Sequence, residues 1–215
     1  SFPTRRSSDL NFCGVAAYSE TFAFQVQNLQ CNQTFTSTDV PQVIDDASVN
    51  TALSILDVPV TAVIGSAQVN IQISHTWVGD LEARLATPWG ADIVLFDQPG
   101  VPGSQYGCGN DNINVTFSDA ATNNAAALEG QCNTNPALSG TFQPIMPLSV
   151  LNGQDAGGEW RLFINDNVGE DGGSIDQWSM TFCFQSDIPA GAMVHNNTLT
   201  VAQGGTEWAA ELYAR

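Results

Sequence analysis

Lysine is absent from this sequence, and the other basic residues are few. All five basic residues are arginines, against 22 Asp and Glu, so the chain has a formal net charge of −17. A field of this sign repels phosphate backbones and anionic lipid headgroups, which argues against nucleic-acid and membrane-surface roles. Cations are the partners that such a charge favours.

Long apolar runs are also missing. No stretch approaches the roughly 20 apolar residues that a membrane-spanning helix needs, so we expect no membrane insertion. Hydrophobic residues make up 43% of the chain and charged residues only 13%, with abundant Asn, Thr, Gly and Ser between them. This composition is typical of a β protein with enough apolar surface to form a core.

The motifs of common hydrolase mechanisms are absent as well. The chain has no G-x-S-x-G nucleophile elbow and no H-E-x-x-H zinc helix. Its two histidines, His75 and His195, are the available general bases, and neither lies in a recognisable catalytic arrangement. We therefore predict that the chain is not itself an enzyme and has no catalytic residues.

The cysteines predict disulfides. None of the five belongs to a Cys-x-x-Cys pair or lies near a histidine at zinc-ligand spacing. A bridge between Cys108 and Cys132 would close a Gly/Asn-rich segment and contribute about 3 kcal/mol through loop entropy. Cys31 could pair with Cys13 or with Cys183, and spacing does not decide between them. Oxidised cysteines imply an extracellular or periplasmic location.

Composition divides the chain into four segments. Residues 1–10, SFPTRRSSDL, resemble a translated sequencing-adapter read-through of the kind found in metagenomic assemblies, and we exclude them from the fold. Residues 11–36 are interpreted as the tail of a preceding segment, and residues 37–185 as the main domain. Residues 186–215 are interpreted as a linker and the start of a further extracellular repeat.

Short alternating strands dominate the main domain, and turn clusters rich in Gly, Pro, Asn and Asp separate them. The pattern predicts an all-β sandwich or jelly roll, with short flanking segments from neighbouring domains. Helix is expected only at Ala120–Leu128, and irregular structure at Pro99–Asn112 and Gln131–Pro147. The predicted strands are Ala52–Val58, Val63–His75, Leu81–Thr87, Ala91–Phe96, Ile113–Phe117, Trp160–Asn165 and Gln177–Gln185. They are preceded by a strand at Thr21–Leu29 before a Cys31-Asn32-Gln33 turn, and by an entry strand within Ser37–Asp46 that ends in a turn.

Two separated motifs resemble a known family. Residues 73–96, ISHTWVGDLEARLATPWGADIVLF, and a later G-x-W-x-L strand followed by a Gly/Asp turn and a Trp-bearing strand are similar to the P domain, or P/Homo B domain, of kexin- and furin-type convertases. The resemblance runs over about 37–185. Its motif positions are His75, Thr76, Gly79, Asp80, Leu81, Pro88, Gly90, Gly158, Trp160, Leu162 and Trp178.

The resemblance implies a non-catalytic domain, a jelly-roll β-sandwich of about eight strands, that packs on and stabilises a secreted protease. Similar bacterial modules follow subtilisin-like serine endopeptidases and metalloproteases, and also occur in large surface proteins without a protease. The implied partner is an adjacent protease catalytic domain or neighbouring β repeats in the same polypeptide. Convertase-specific contacts are not carried over, because Trp77-Val78 stand where furin-like members have basic residues near Gly79.

Two further hypotheses concern binding. An adhesive or carbohydrate-binding module of a bacterial surface protein is the alternative function, for which Trp89 beside a turn is the best sugar-stacking candidate. Strand addition through Thr198–Val201 would instead lead to self-assembly. We interpret His75 as a buried imidazole, and Trp160 and Trp178 as core aromatics. Thr76, Gly79 and Asp80 are interpreted as a turn between strands in which Gly79 supplies unusual backbone angles.

Calcium is the one cofactor that the sequence predicts. Hard cations take several oxygen ligands, and one Asn/Asp/Glu-rich turn supplies them, although its spacing is not that of an EF-hand. The candidate ligands are Asp166, Asn167, Glu170 and Asp171, with Asp80, Asp111 and Asp119 as weaker candidates for a second cluster.

Overall fold

A computed structural model describes residues 28–45, 51–101 and 103–186. Several sequence predictions fall outside these described residues: the leader at 1–10, Cys13, most of the strand predicted at Thr21–Leu29, the repeat-like tail after Ser186, and within it His195 and Thr198–Val201. Among the described residues, no helix is long and apolar enough to cross a membrane.

Ten strands, one short helix and two 3₁₀ turns make up the described structure. The strands are β1 (Asn28–Thr36), β2 (Gln42–Ile44), β3 (Ala52–Val58), β4 (Ile64–His75), β5 (Leu81–Ala86), β6 (Asp92–Asp97), β7 (Ile113–Ser118), β8 (Leu138–Phe142), β9 (Gly158–Asp166) and β10 (Gly173–Ser186). Helix α1 spans Ala125–Glu129, and the 3₁₀ turns span Val78–Asp80 and Leu148–Leu151.

The strands form two sheets that pack face to face. One sheet has the order β1-β10-β4-β7-β8, with β2 also pairing with β10, and the other has the order β3-β9-β5-β6. The chain crosses repeatedly between the sheets, and pairing is antiparallel except between β7 and β8. The predicted all-β sandwich is confirmed, with ten strands in the described residues instead of about eight.

Alternation of buried and exposed positions explains why the strand predictions succeed. In β3 the residues at 52, 54, 56 and 58 are buried, while Leu53 and Asp57 face solvent. The entry strand predicted within Ser37–Asp46 appears as β2, and the seven later strands appear as β3–β7, β9 and β10. Strand β8 was missed in a segment predicted to be irregular, where Gly140 adopts a positive φ of 122° and the buried positions are only Leu138 and Phe142.

The N-terminal strand differs from its prediction. The residues Cys31-Asn32-Gln33 were predicted as a turn, but β1 continues through them with a bulge against β10 between Gln30 and Gln33. Asn32 adopts a φ of 66°, which accommodates the extra residue. Residues 28–36, which the sequence assigns to a preceding segment, thus form an edge strand of the six-stranded sheet.

Two disulfides join segments that are distant in sequence. Cys31–Cys183 ties β1 to β10, and Cys108–Cys132 closes the loop region between β6 and β8. For Cys31, the structure therefore selects Cys183 from the two partners left open by spacing. A bridge that closes 152 residues contributes about 5 kcal/mol in the chain-entropy model.

The core is centred on two tryptophans. Trp160 and Trp178 are both 0% exposed, and each indole N–H has a hydrogen-bond acceptor, as buried indoles require. Trp160 Nε1 donates to Ala156 O at 2.9 Å, and Trp178 Nε1 donates to Ser54 Oγ at 2.7 Å. The second bond joins β10 to β3, so it links the two sheets inside the core.

The sandwich has two ends of different character. At one end, which we call the apolar end, β1 begins and β10 finishes, because Asn28 pairs with Ser186. At the other, the acidic end, β4 and β9 finish at His75 and Asp166. The apolar end comprises the start of β1 with residues 59–63, 87–91 and 143–157. The acidic end comprises residues 76–80, 98–101, 103–112 and 167–172, together with Glu129, whose carbonyl accepts a hydrogen bond from Gly100 N.

Candidate functional site

A buried His–Asp pair lies where the strands meet the acidic end. His75 Nε2 is 3.2 Å from Asp166 Oδ2, and the two side chains are 0% and 1% exposed. The predicted motif histidine is thus a buried imidazole. Since β4 and β9 belong to different sheets, the pair joins the two sheets as Trp178 and Ser54 do further along the sandwich.

The remaining polar atoms of this pair also have partners within the protein. His75 Nδ1 lies 3.0 Å from Trp77 O and 3.2 Å from Trp77 N, so the ring has a backbone partner in either protonation state. Asp166 Oδ1 accepts a hydrogen bond from Val168 N at 3.2 Å. The adjacent hydroxyl of Thr76 donates to Asp171 Oδ1 at 2.6 Å instead of contacting the imidazole. These hydrogen bonds hold the turn at 167–172 in place. The Thr76 hydroxyl is not positioned as a nucleophile for His75, because it is bonded to Asp171.

Asp80 lies beside this pair and is also buried. Its backbone carbonyl accepts hydrogen bonds from Asn167 N at 2.9 Å and from Asn167 Nδ2 at 3.1 Å. Burial raises the pKa of Asp80 to about 6, the charges of Asp166 and Asp171 act in the same direction, and His75 partly offsets them. Negative charge is therefore concentrated and poorly solvated at this position.

The candidate calcium ligands are only partly brought together. Asp80, Asp166 and Asp171 interact electrostatically, and Asn167 bonds to Asp80, but within the described residues no group of three His, Cys, Asp or Glu side chains could hold a metal ion. Glu170 lies in the same turn with a φ of 86°. Calcium binding at this turn stays a prediction.

The other two weaker candidates, Asp111 and Asp119, do not extend this cluster. The Asp119 carboxylate accepts hydrogen bonds from Leu148 N at 2.8 Å and Ser149 N at 2.6 Å, which places it at the opposite, apolar end. Strand β7 runs from the acidic end at Ile113 to the apolar end at Ser118, and at about 3.4 Å per residue this separates the two ends by about 17 Å. Asp111 is exposed, and its backbone carbonyl accepts a bond from Ala137 N.

The motif glycines act in two different ways. Gly79 was interpreted as supplying unusual backbone angles, but it lies in a 3₁₀ turn, and its role is close approach: a Cβ there would overlap Cys108 N. Gly79 N donates to Cys108 O at 2.9 Å, which ties the turn to the disulfide loop. Gly90 has a φ of 86° and open space around it, as a turn glycine requires.

The remaining motif residues form the apolar framework around these turns. Leu81 and Leu162 are buried in the core, and Gly158 has a φ of 119° with Pro88 Cβ 3.0 Å from where its own Cβ would be. Trp89, the sugar-stacking candidate, is 42% exposed and makes a T-shaped contact with Trp160 at 5.4 Å.

Sequence reasoning missed a second carboxylate system near β3, in which the exposed Asp39 is hydrogen-bonded to the buried Ser37 and Ser54. Asp39 Oδ2 accepts from Ile55 N at 2.8 Å, and Asp39 Oδ1 accepts from Ser37 Oγ at 2.7 Å and from Ser54 Oγ. Burial alone would raise the pKa of Asp39, but the hydrogen bonds from Ser54, Ser37 and Ile55 together lower it below its ordinary value. Because Ser54 also accepts from Trp178, this network continues into the core.

An open cavity of about 540 Å³ lies beside the Cys108–Cys132 disulfide and a Gly-rich loop. Glu129 lines it; its Oε1 accepts from Asp97 N at 3.3 Å, while its Oε2 is buried with no hydrogen-bond partner. Burial raises the pKa of Glu129 to about 7, with a further contribution from the charge of Asp97, against the opposing effect of the Asp97 N–H bond. Sequence reasoning missed this residue because a single Glu in a short helix resembles an ordinary solvent-facing side chain.

One family of known proteins matches this chain over a segment that runs from β4 into β10. The family model described as the proprotein convertase P-domain matches residues 64–182, more than half of the 215-residue chain. No individually curated protein matches this chain.

Two solved structures are similar at low identity. The serine protease of Aeromonas sobria in complex with the chaperone ORF2 is 14% identical with a TM-score of 0.48, and the same protease in a second structure is 13% identical with a TM-score of 0.45. Each match covers 77% of this chain and 28% of the solved chain, so this chain spans under a third of their length.

Proposed function

Because this chain belongs to the proprotein convertase P-domain family, we propose that it acts as a non-catalytic accessory domain that stabilises the catalytic domain of an extracellular protease. The parent protein is proposed to be a secreted or cell-surface bacterial endopeptidase, of the subtilisin-like serine class or a metalloprotease. The adjacent catalytic domain of the same polypeptide is then the partner.

The buried His75–Asp166 pair supports the non-catalytic part of this proposal. A general base must reach the proton that it abstracts from a substrate or nucleophile. Both side chains are essentially inaccessible, and their hydrogen-bonding atoms contact the protein's own backbone and each other. The pair therefore holds a turn in place and has no surface at which a peptide could bind.

The cross-linked sandwich supports the stabilising part, and it is the observation that carries the proposal. Two disulfides, the His75–Asp166 pair and the Trp178–Ser54 bond connect strands and sheets into one unit. A domain with such ties can act as a rigid support for a neighbour. The disulfides also favour an oxidising, extracellular location.

Deletion of residues 28–186 from the full-length parent tests the proposal. We expect the remaining catalytic domain to unfold at a lower temperature and to lose activity faster on heating, whereas the isolated 215-residue chain has no proteolytic activity on a denatured protein substrate. A catalytic domain that is unaffected by the deletion would contradict the stabilising role. Cleavage of substrate by the isolated chain would contradict the non-catalytic role.

Trp89 favours one other candidate function, carbohydrate binding. Part of its ring is solvent-exposed at the turn between β5 and β6, where it could stack on a sugar. Affinity electrophoresis of the chain in gels containing soluble polysaccharides tests this function, with Trp89→Ala as the matched variant. Retardation that Trp89→Ala abolishes would favour the carbohydrate-binding module over the protease-accessory domain.

A further inference from the structure

We propose that the apolar end of the sandwich is the surface on which the neighbouring protease catalytic domain docks. This inference rests on the proposed accessory function and adds the location of the contact. Of the exposed apolar side chains at this end, five carry the argument, each 38% to 51% exposed: Leu29, Val60, Val63, Trp89 and Val150.

These five residues lie on segments that meet at one end of the fold. Val63 forms a bridge with Asp155, and Gly153 N donates to Ile64 O, which brings the segment carrying Val150 beside the start of β4. Gly157 lies against the Val60 carbonyl, and Gly158 lies against Pro88, the neighbour of Trp89. Leu29 Cδ2 contacts Gly65 at the start of the same strand. The exposed apolar groups thus come from different loops to a common end.

The path of the chain identifies the occupant of this surface. Asn28 pairs with Ser186, so the first and last residues of the described structure both lie at the edge of the apolar end. A domain joined to this one through either of these residues is held at high effective concentration near that end. A catalytic domain of the same polypeptide therefore reaches this surface before any other partner does.

The hydrogen bonds of the carboxylates at this end also suit a docking surface. Asp155 Oδ1 accepts from Ala62 N at 3.1 Å and from Gly157 N at 2.9 Å, and Asp119 accepts two backbone N–H bonds. These charges brace the loops and already have partners when the surface is covered. The cost of removing them from water is thereby reduced.

The acidic end is less suited to burial under a neighbour. It also exposes apolar side chains, including Val101, Tyr106 and Val168, but its loops carry several carboxylates, among them Asp80 and Asp171. Covering that end would remove water from like charges that already interact, as Asp80 does with Asp166 and Asp171. Charge-depleted centres with aromatic and apolar groups are instead typical of protein interfaces.

The test is a pair of matched double variants in the full-length parent polypeptide. Val60→Asp/Val150→Asp alters the apolar end, and Val43→Asp/Val168→Asp alters residues of similar or greater exposure towards the acidic end, since β2 pairs with the first residues of β10. We expect the first variant to shorten the thermal half-life of protease activity roughly tenfold, the loss typical of disrupting an interface contact. The second variant is expected to behave like the wild type.

Further measurements separate failure of this inference from failure of the proposed function. The isolated 215-residue chain carrying Val60→Asp/Val150→Asp must keep the wild-type melting midpoint; if it does not, the milder Val60→Ser/Val150→Ser variant replaces it. If deletion of residues 28–186 destabilises the protease but the apolar-end variant does not, the docking surface is wrong and the proposed function stands. If the deletion has no effect, both are wrong. Concentration-dependent dimers of the isolated chain that the variant abolishes would identify a second copy as the occupant and overturn the inference.

Discussion

The two ends of the sandwich are extensions of the same strands, yet they handle their carboxylates in opposite ways. At the apolar end Asp119 and Asp155 accept backbone N–H bonds and brace loops. At the acidic end burial and like charges raise the pKa of Asp80, and Glu129 keeps one oxygen without a hydrogen-bond partner. The net charge of the chain therefore does not show which carboxylates destabilise the fold. That depends on whether each carboxylate has hydrogen-bond donors around it.

This difference also explains why the two ends suit different partners. A surface whose charges already have partners can be covered by another protein at low cost, whereas one with clustered and poorly solvated carboxylates attracts protons or cations. The sandwich between the ends is held by buried polar links that connect its two sheets. Variants at the acidic end, at the apolar end and in the sandwich between them test this difference.

Breaking the buried pair at the acidic end should have the largest effect on stability. Asp166→Asn leaves His75 buried without its carboxylate partner, and we expect the free energy of unfolding to fall by about 3 kcal/mol. The matched variant at the apolar end, Asp155→Asn, alters exposed loop contacts and should cost about 1 kcal/mol. Urea denaturation measures both, and equal losses would contradict the contrast between the two ends.

Breaking the Trp178–Ser54–Asp39 hydrogen bonds in the sandwich between the ends should cause the second-largest loss of stability. Ser54→Ala removes the acceptor of the Trp178 indole N–H and one donor to Asp39, so we expect a loss of about 2 kcal/mol. Since hydrogen bonds hold the pKa of Asp39 below its ordinary value, their contribution is present near neutral pH and is lost as pH falls through that lowered pKa. The Ser54→Ala deficit, measured by urea denaturation, should therefore shrink in strong acid; a deficit that does not depend on pH would point to a packing defect alone.

The contribution of Glu129 to stability should depend on pH in the direction opposite to that of Asp39. Its pKa is raised to about 7 in the folded protein, so its contribution is fully present below its unfolded pKa and is lost as pH rises through 7. Glu129→Gln should therefore match the wild type near pH 4 and be more stable above pH 7. After allowance for partial solvent screening, the gain should be about 1 kcal/mol.

Thermal unfolding from pH 4 to pH 8 checks this prediction. Glu159→Gln, an exposed glutamate paired with Arg161 on β9, is the matched control and should show no such gain. A Glu129→Gln gain that is constant across the pH range would show that titration of this carboxyl is not the cause.

Calcium should give the smallest effect. If the turn with Asp166, Asn167, Glu170 and Asp171 takes calcium, a free calcium concentration of about twice Kd stabilises the protein by about 0.6 kcal/mol. Asp171→Asn should abolish that calcium-dependent rise in melting temperature, whereas Asp155→Asn should retain it. An equal rise in both variants would indicate nonspecific screening of the negative charge.

The sequence could predict features that depend on neighbouring residues. Alternation in β3 and β9 predicts which faces are buried, and the separated motifs at 73–96 and around Trp160 indicate the family. The signal was weaker for β8, where Gly140 disturbs the alternation, and for β1, where a bulge at Asn32 replaces the expected turn. The sequence predicted Asp166 and Asp171 in one group of calcium ligands and Asp80 in another, and the structure brings the three together.

By itself, the sequence determined the all-β character, the core tryptophans and the negative charge, because these follow from composition and a two-residue period. Only the tertiary structure decided that Cys31 pairs with Cys183, that Asp119 and Asp80 lie at opposite ends, and that His75 meets Asp166. Each of these depends on the register of strands that are distant in the chain, and His75 and Asp166 also belong to different sheets. Local patterns specify which face of a strand is buried, whereas strand order and register specify which residues meet.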